Sequence, residues 1–220
     1  TGHGVPGALM SVMGLSYFQK YLHDSKITHV GEILDHVRSD IINALKSEDG
    51  GANDGMDAAF IQYENGKIAF AGAQNPMYLL RKRENVSESL ELPVADQEGQ
   101  QHIVEASVYD NHYVLFPIKA DKQPIGNFIE QKPFTAHYIT AMPGDKAFIF
   151  SDGYADQFGG PKGKKFRYKP FKKLILSLAK LESRESNQQL ASFFEEWQGS
   201  FDQVDDVCVM GINFDDLKNE

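Results

Sequence analysis

Two short apolar runs in this chain lead directly into acids. Ala147-Phe148-Ile149-Phe150 is followed by Ser151-Asp152-Gly153, and Asp205-Asp206 stands immediately before Val207-Cys208-Val209-Met210. Both runs read as buried strands, so each delivers a carboxylate to a sheet rim. Adjacent like charges are costly to bury unless a cation or hydrogen-bond donors compensate them. Mg²⁺ and Mn²⁺ are hard ions that select carboxylate and water oxygens. One reading makes the two strand ends parts of a single metal site. The other makes them Asp-Gly and Asp-Asp turns facing solvent. The residues by themselves leave both standing.

Other chemistry-bearing residues are less organised. His3, His23, His29, His36, His102, His112 and His137 are scattered, with no His/Cys grouping at zinc spacing. Cys208 lies inside a strand, without the activating surroundings that a thiol nucleophile needs. The opening turn Thr1-Gly2-His3-Gly4 runs into a helix, whose free N–H groups favour an anion such as phosphate. His3 reads there either as an acid or base or as an ordinary loop histidine.

Elements must position these groups. Leu9, Val12, Met13 and Leu22 mark the apolar face of a helix over residues 6–23, with Pro6 in its first turn. Val30, Ile33, Leu34, Val37, Ile41, Ala44 and Leu45 predict a second helix over 30–46, stopped by a loop at 47–51. Strands are expected at 57–64, 67–73 and 77–83, the first two joined by Asn65-Gly66, the chain's clearest hairpin signal. Residues 84–102 are polar and uneven and read as an exposed loop or irregular hairpin. Further strands fit 112–116, 134–141 and 146–150, the last two joined by the turn Met142-Pro143-Gly144-Asp145. Phe171, Leu174, Ile175, Leu178 and Leu181 stripe a third helix, and Leu190, Phe193, Phe194 and Trp197 a fourth, these aromatics reading as core. A strand over 207–214 and a polar tail close the chain. Hairpin-joined strands are antiparallel and each amphipathic helix covers a sheet face, so the pattern predicts a layered α+β fold with helix pairs outside stacked antiparallel sheets.

Composition sets limits on function. With 220 residues, the chain can bury a core without disulfides or structural metal. Its single cysteine forbids an internal disulfide and favours an intracellular setting. A net charge of −9 argues against a nucleic-acid partner held by phosphate neutralisation. It fits a divalent cation, and it equally fits ordinary solubility. No apolar run approaches the ~18 residues of a membrane span, and the first residues carry no signal-peptide pattern.

Five segments, in order, resemble SpoIIE-type members of the PPM family, the metal-dependent serine/threonine protein phosphatases of bacterial signalling. Thr1-Gly2-His3-Gly4-Val5-Pro6-Gly7-Ala8 resembles the start of that family's first long helix. Ala71-Gly72-Ala73-Gln74-Asn75-Pro76 is similar to its Ala-Gly-x-x-Asn-Pro hairpin, and Gln123-Pro124-Ile125-Gly126 to its Pro-Ile-Gly loop. Met142-Pro143-Gly144-Asp145 through Ser151-Asp152-Gly153 is similar to its Pro-Gly-Asp…Ser-Asp-Gly strand, and Asp205-Asp206-Val207 to its C-terminal Asp-Asp pair.

The resemblance implies a PPM-type four-layer α/β/β/α sandwich of two antiparallel sheets flanked by helix pairs. It implies Mn²⁺ or Mg²⁺ held by aspartates at the sheet ends, with a metal-activated water as the nucleophile. Asp152 and Asp205 are the implied metal ligands, with Asp206 as a supporting or alternate ligand. Asp156 is implied to orient metal-bound water. Gly2, His3 and Gly4 would line the site, with His3 as a catalytic candidate, and Asn75 would hydrogen-bond there. The implied substrate is a phosphoserine or phosphothreonine protein, of the STAS type that antagonises anti-sigma factors in partner-switching pathways. The setting is cytoplasmic, including the cytoplasmic part of a larger membrane-bound sensor.

One departure stands out. In this family an aspartate directly before the Thr-Gly-His-Gly run, and a Gly-Asp on the preceding strands, are metal ligands, and neither is in this sequence. The expectation is a single phosphatase domain over 1–220 that lacks its N-terminal strands. Its expected activity is impaired, and its open sheet edges favour homodimer pairing. The competing expectation is a non-catalytic protein-binding module of the same fold. The basic run Lys162-Gly163-Lys164-Lys165-Phe166-Arg167 follows the Ser-Asp-Gly strand. Lys164, Lys165 and Arg167 read either as a docking flap for an anionic phosphoprotein or as a solvated basic loop.

Overall fold

A computed structural model describes residues 4–22, 24, 26–45 and 55–216. Helices α1 (Gly4–Tyr21) and α2 (Val30–Ala44) come first. Strands β1 (Gly55–Met56), β2 (Ala58–Glu64), β3 (Lys67–Ala73), β4 (Met77–Lys82), β5 (Glu91–Ala95), β6 (Gln101–Glu105), β7 (Val108–Tyr109), β8 (Tyr113–Ile118), β9 (Ile125–Gly126), β10 (His137–Thr140) and β11 (Lys146–Phe150) follow. Then come α3 (Gly153–Asp156), β12 (Phe158–Gly159), β13 (Lys164–Lys165), α4 (Tyr168–Leu178), α5 (Ser183–Gln198) and β14 (Val209–Asn213). The expected α+β class holds: there are two five-stranded sheets, ordered β2-β3-β10-β5-β6 and β14-β11-β4-β8-β7. Among the described residues, no helix is long and apolar enough to cross a membrane. The expected breaker loop at 47–51 lies outside the described residues.

The chain packs as two compact units. The first takes Thr1–Pro76, Val94–His102 and Lys119–Thr140; the second takes Met77–Pro93, Ile103–Ile118 and Ala141–Glu220.

In the first unit, β3 pairs antiparallel with both β2 and β10. Asn65 and Gly66 both take positive φ, as their two-residue hairpin turn demands. Alternate β3 residues Ala69, Ala71 and Ala73 face a core built by Val30, Ile33, Leu34, Val37 and Ile41 of α2. Small residues on the strand let the helix approach closely. At Gly31 a Cβ would overlap the carbonyl oxygen of Phe134. Buried Arg38 donates to Gln123 Oε1 (3.1 Å) and to the Lys132 carbonyl (2.9 Å), and also pairs with Asp35. Gln123, from the Gln-Pro-Ile-Gly segment, is thus a structural clamp, and Ile125–Gly126 pair with Gly55–Met56.

The α1 face differs from expectation. Gly7, Met10 and Gly14 are buried and Tyr17, Phe18 and Tyr21 pack against the same core, whereas Leu9, Val12 and Leu22 are exposed. The helix is apolar all round, so periodicity cannot choose a side. The buried side is the one that carries Gly7, Met10 and Gly14, with Gly14 against the Met56 side chain.

In the second unit, β11 lies between β14 and β4, antiparallel to both. Tyr78, Phe148, Phe150, Tyr154, Phe166 and Phe171 form a tilted aromatic core under α4 and α5. Phe193, Phe194 and Trp197 pack against it as expected. The stretch expected to be an exposed loop at 84–102 instead carries β5 and the start of β6. Leu92 and Val94 are buried between exposed Glu91 and Pro93, an alternation too short to register and masked by the proline. The last strand is shorter than the 207–214 expected, because Val207 and Cys208 belong to the connection leading into it.

Pro143 and Gly144 (φ 84°) make the turn into β11, and Asp145 closes it. Asp145 is 0% exposed. Its carboxylate accepts Arg81 Nε (3.1 Å), Arg81 Nη2 (2.7 Å) and the Met142 N–H (2.9 Å). Removing the cation would leave a fully buried carboxylate without its forked partner. Arg81→Met is therefore expected to cost about 3–5 kcal/mol in urea unfolding, and the double variant with Asp145→Leu is expected to recover much of that loss.

Candidate functional site

The acids of β11 and β14 meet because the two strands stay laced past their last ladder pair. Phe150 is opposite Val209. One step further, the Ser151 N–H donates to the Cys208 carbonyl (3.0 Å). The Ser151 hydroxyl accepts from the Cys208 N–H (3.0 Å) and donates to the Asp206 carbonyl (2.8 Å). Gly153 must be glycine for the same reason: a Cβ there would overlap the Asp206 carbonyl oxygen and crowd Val207. Ser-Asp-Gly is thus one device, in which the serine laces the backbones, the glycine lets them touch, and the aspartate between them is exposed beside Asp205-Asp206.

Their carboxylates are largely uncommitted. Asp152 stands at the N-terminus of α3 without a side-chain capping bond. The Asp205 carboxylate accepts its neighbour's backbone, the Asp206 N–H at 2.7 Å. All three acids are exposed, and none forms an ion pair among the described residues. Among the described residues no group of three or more His, Cys, Asp or Glu side chains is placed to hold a metal ion. A pair of carboxylates with open water positions still fits a hard cation, since Mg²⁺ is commonly held by one or two carboxylates and keeps several waters. The all-oxygen donor set fits Mn²⁺ or Mg²⁺ and does not fit a thiophilic metal.

The other expected site residues fare differently. Asp156 has its carboxylate on Lys165 Nζ (2.8 Å), so both are already paired. The basic run forms a hairpin: β12 and β13 pair Phe158 with Lys165 and Gly159 with Lys164. It is fastened rather than free. The Gly160 N–H donates to the Trp197 carbonyl (2.7 Å), and Trp197 Nε1 donates to the Gln157 carbonyl (3.1 Å). Lys164 and Arg167 remain exposed. Asn75 and Gly4 belong to the first unit, Asn75 in the turn after β3 and Gly4 at the start of α1. Gly2 and His3 lie outside the described residues.

Gln157 escaped the sequence reading. It is fully buried, and its amide donates to the Phe158 and Asp202 carbonyls (3.0 and 2.9 Å), holding the segment that leads to Asp205. Its only signal is a polar residue directly before Phe158 in the run Tyr154-Ala155-Asp156-Gln157-Phe158.

No protein-family model and no curated protein matches the chain. Solved structures do. The SiaA-PP2C domain of Pseudomonas aeruginosa superposes with a TM-score of 0.72 at 21% identity, over 97% of this chain and 72% of that one. The chain has the PP2C fold. RsbX in complex with magnesium superposes at TM-score 0.53 and 14% identity, over 96% of this chain and 75% of that one. The Mycobacterium tuberculosis serine/threonine phosphatase PstP/Ppp also scores 0.53, at 15% identity, over 95% of this chain and 83% of that one. In this PP2C-fold chain the laced strand ends supply the two acidic segments.

Gly153→Ala is expected to cost about 1–3 kcal/mol, because the added methyl meets backbone that cannot rotate away. Ser151→Ala should cost less, about 1 kcal/mol, for its lost hydroxyl bonds. Urea unfolding of both variants checks the order.

Proposed function

We propose that this chain is the catalytic region of a metal-dependent phosphatase that hydrolyses phosphoserine or phosphothreonine on a signalling protein. The observation that carries this reading is the lacing of Asp152 against Asp205-Asp206 at one sheet end of a PP2C fold. Asp152, Asp205 and Asp206 would hold the Mn²⁺ or Mg²⁺. When bound, such an ion supplies Lewis acidity for attack of water on a phosphoester. The chain's own work is to fix the carboxylates. Ser151 and Gly153 set the spacing, Gln157 anchors the approach to Asp205, and exposure leaves the oxygens open to the ion. A STAS-type phosphoprotein is the substrate this reading favours. Exposed Lys164 and Arg167 would attract such an anionic partner.

A second reading, a protein-binding module of this fold without turnover, is favoured by one observation: among the described residues no three His, Cys, Asp or Glu side chains, Asp152, Asp205 and Asp206 included, are placed to hold a metal ion together.

Mn²⁺ titration separates the two. A cation that binds only the folded state raises Tm, by the equivalent of about 2.7 kcal/mol at a hundredfold excess over Kd. Catalysis predicts a Tm rise together with p-nitrophenyl phosphate hydrolysis, both lost in Asp152→Asn and Asp205→Asn. A flat Tm with no hydrolysis, both by the unaltered chain and by one extended with its native upstream residues, selects the binding module. In the catalytic case, Lys164→Ala with Arg167→Ala should slow a phosphoprotein substrate several-fold more than p-nitrophenyl phosphate. Equal slowing of the two removes the docking role of these residues.

A further inference from the structure

His137 of β10 is a titratable side chain that the acidic site does not use. Ala136 and Tyr138 beside it pack into the α2 core, so the alternation of the strand turns His137 to the sheet's opposite face. There it lies against Phe70, its register partner on β3, with the two rings stacked at 6.2 Å and 19°. The ring of His102, from β6, meets it edge-on at 5.4 Å. Nδ1 of His137 is closed off from solvent and meets no hydrogen-bond partner among the described residues. No further donor or acceptor can reach a closed-off atom without displacing what is packed around it.

The groups around the ring leave a proton unwelcome. Burial first, then His102, hold the imidazole below the usual histidine range. Asp121, the nearby Lys119 backbone carbonyl and Asp96 pull the other way and do not prevail. Both acids are already committed. The Asp121 carboxylate accepts the Thr135 N–H (2.7 Å) and hydroxyl (3.3 Å), and Asp96 Oδ1 accepts the N–H groups of Glu98 (3.0 Å) and Gln100 (2.8 Å). Protonation would place a charge and a new N–H where neither is satisfied, at a cost that only movement of the surroundings relieves.

Those surroundings hold a strained turn. The Asp121 N–H donates to the Gly72 carbonyl (3.0 Å), and the Gln74 N–H donates to the Asp121 carbonyl (2.9 Å). Between these bonds the chain bends sharply. Gln74 has φ 63°, a left-handed conformation that costs a non-glycine residue energy and persists only where its neighbours enforce it. The Asn75 N–H donates back to the Ala73 carbonyl (2.7 Å), and a Cβ at Gly72 would overlap the Asn75 carbonyl oxygen. Residues 119–121 thus strap the turn that carries Asn75. Strand β10 and the residue before its approach hold the strap, Thr135 on Asp121 and His137 beside the Lys119 carbonyl. All of these residues belong to the first unit.

We propose that His137 is a pH-sensitive latch on this strap: uncharged, it keeps residues 119–121 against the Gly72–Asn75 turn, and on acidification the strap releases and the turn relaxes. The latch does not depend on the phosphatase reading. An imidazole that resists protonation when packed takes a proton more readily once released, so acid favours release. The effect is absent well above roughly pH 6.5, where a free imidazole is already neutral. It grows as pH falls below that point, by up to about tenfold per pH unit, until the packed imidazole protonates too.

Hydrogen exchange of the full chain from about pH 7.5 to about pH 5.5, corrected for intrinsic exchange, reads the release. The opening equilibrium at the Asp121 and Gln74 amides is expected to rise about tenfold across this range, while that at Phe148 and Ile149 in β11 changes less than about twofold. His137→Gln cannot titrate and should flatten the rise; His102→Gln should leave most of it. The imidazole signal of His137, followed by NMR in the unaltered chain, should remain that of the neutral ring at about pH 6.5. This last reading needs no variant to fold. No rise in the unaltered chain, a rise of equal size in His137→Gln, or a His137 ring already half-protonated at or above that pH overturns the proposal.

Discussion

The organisation of the candidate site depends on how closely two backbones approach beyond the end of their ladder. β11 and β14 stop pairing at Phe150 and Val209. At that point strands ordinarily splay, and the acids beyond it would separate. Ser151 prevents it by bonding across twice with one hydroxyl, and Gly153 by having no Cβ to hold the Asp206 carbonyl away. The neighbouring elements inherit this placement. α3 starts at the contact, Gln157 at its end reaches back to Asp202, and Trp197 holds the Gln157 carbonyl. Asp152 is beside Asp205-Asp206 because nothing between the two backbones has room to part them.

Buried arginines stabilise the two units in parallel ways. Arg38 gathers Asp35, Gln123 and the Lys132 carbonyl in the first, and Arg81 grips Asp145 in the second. Each brings a distant turn against a core element. A guanidinium suits this role because its planar fork satisfies several acceptors at once and stays charged when buried. These contacts give two of the recognised segments a physical meaning that is not chemical. Gln123 of Gln-Pro-Ile-Gly and Asp145 of Pro-Gly-Asp shape turns; neither is an acid or base for a reaction.

Much of this was legible in the sequence, for identifiable reasons. The Asn65-Gly66 hairpin, α2 and β11 were readable because turn chemistry, a clean 3.6-residue stripe and a compact apolar run are local signals. The acids were readable as strand-end residues. Their juxtaposition stood as one of two readings and as an implication of the resemblance; local signals could not decide it, because register between strands far apart in sequence depends on Ser151 and Gly153, which look like ordinary turn residues. α1 misled because both its faces are apolar and its packing against the core around Met56 is long-range. β5 was missed because Pro93 interrupts an alternation only a few residues long. The Lys165–Asp156 pair was hidden because a run of basic residues does not say which member finds a carboxylate.

Comparison of the aspartates shows why the exposed ones suit a cation. Asp145 is wholly buried, and its oxygens are taken by a guanidinium and a backbone donor. An ion could reach it only by breaking that arrangement. Asp156 is accessible, but Lys165 already neutralises it, and an ion would have to displace an ammonium. Asp152, Asp205 and Asp206 are exposed, without a paired cation among the described residues. In water, like charges repel weakly, so exposed acids on neighbouring backbones cost little. Under the phosphatase reading proposed above, a divalent ion arriving there would break no ion pair among the described residues. The laced backbone brings the two acidic segments together, and exposure keeps their carboxylates in water.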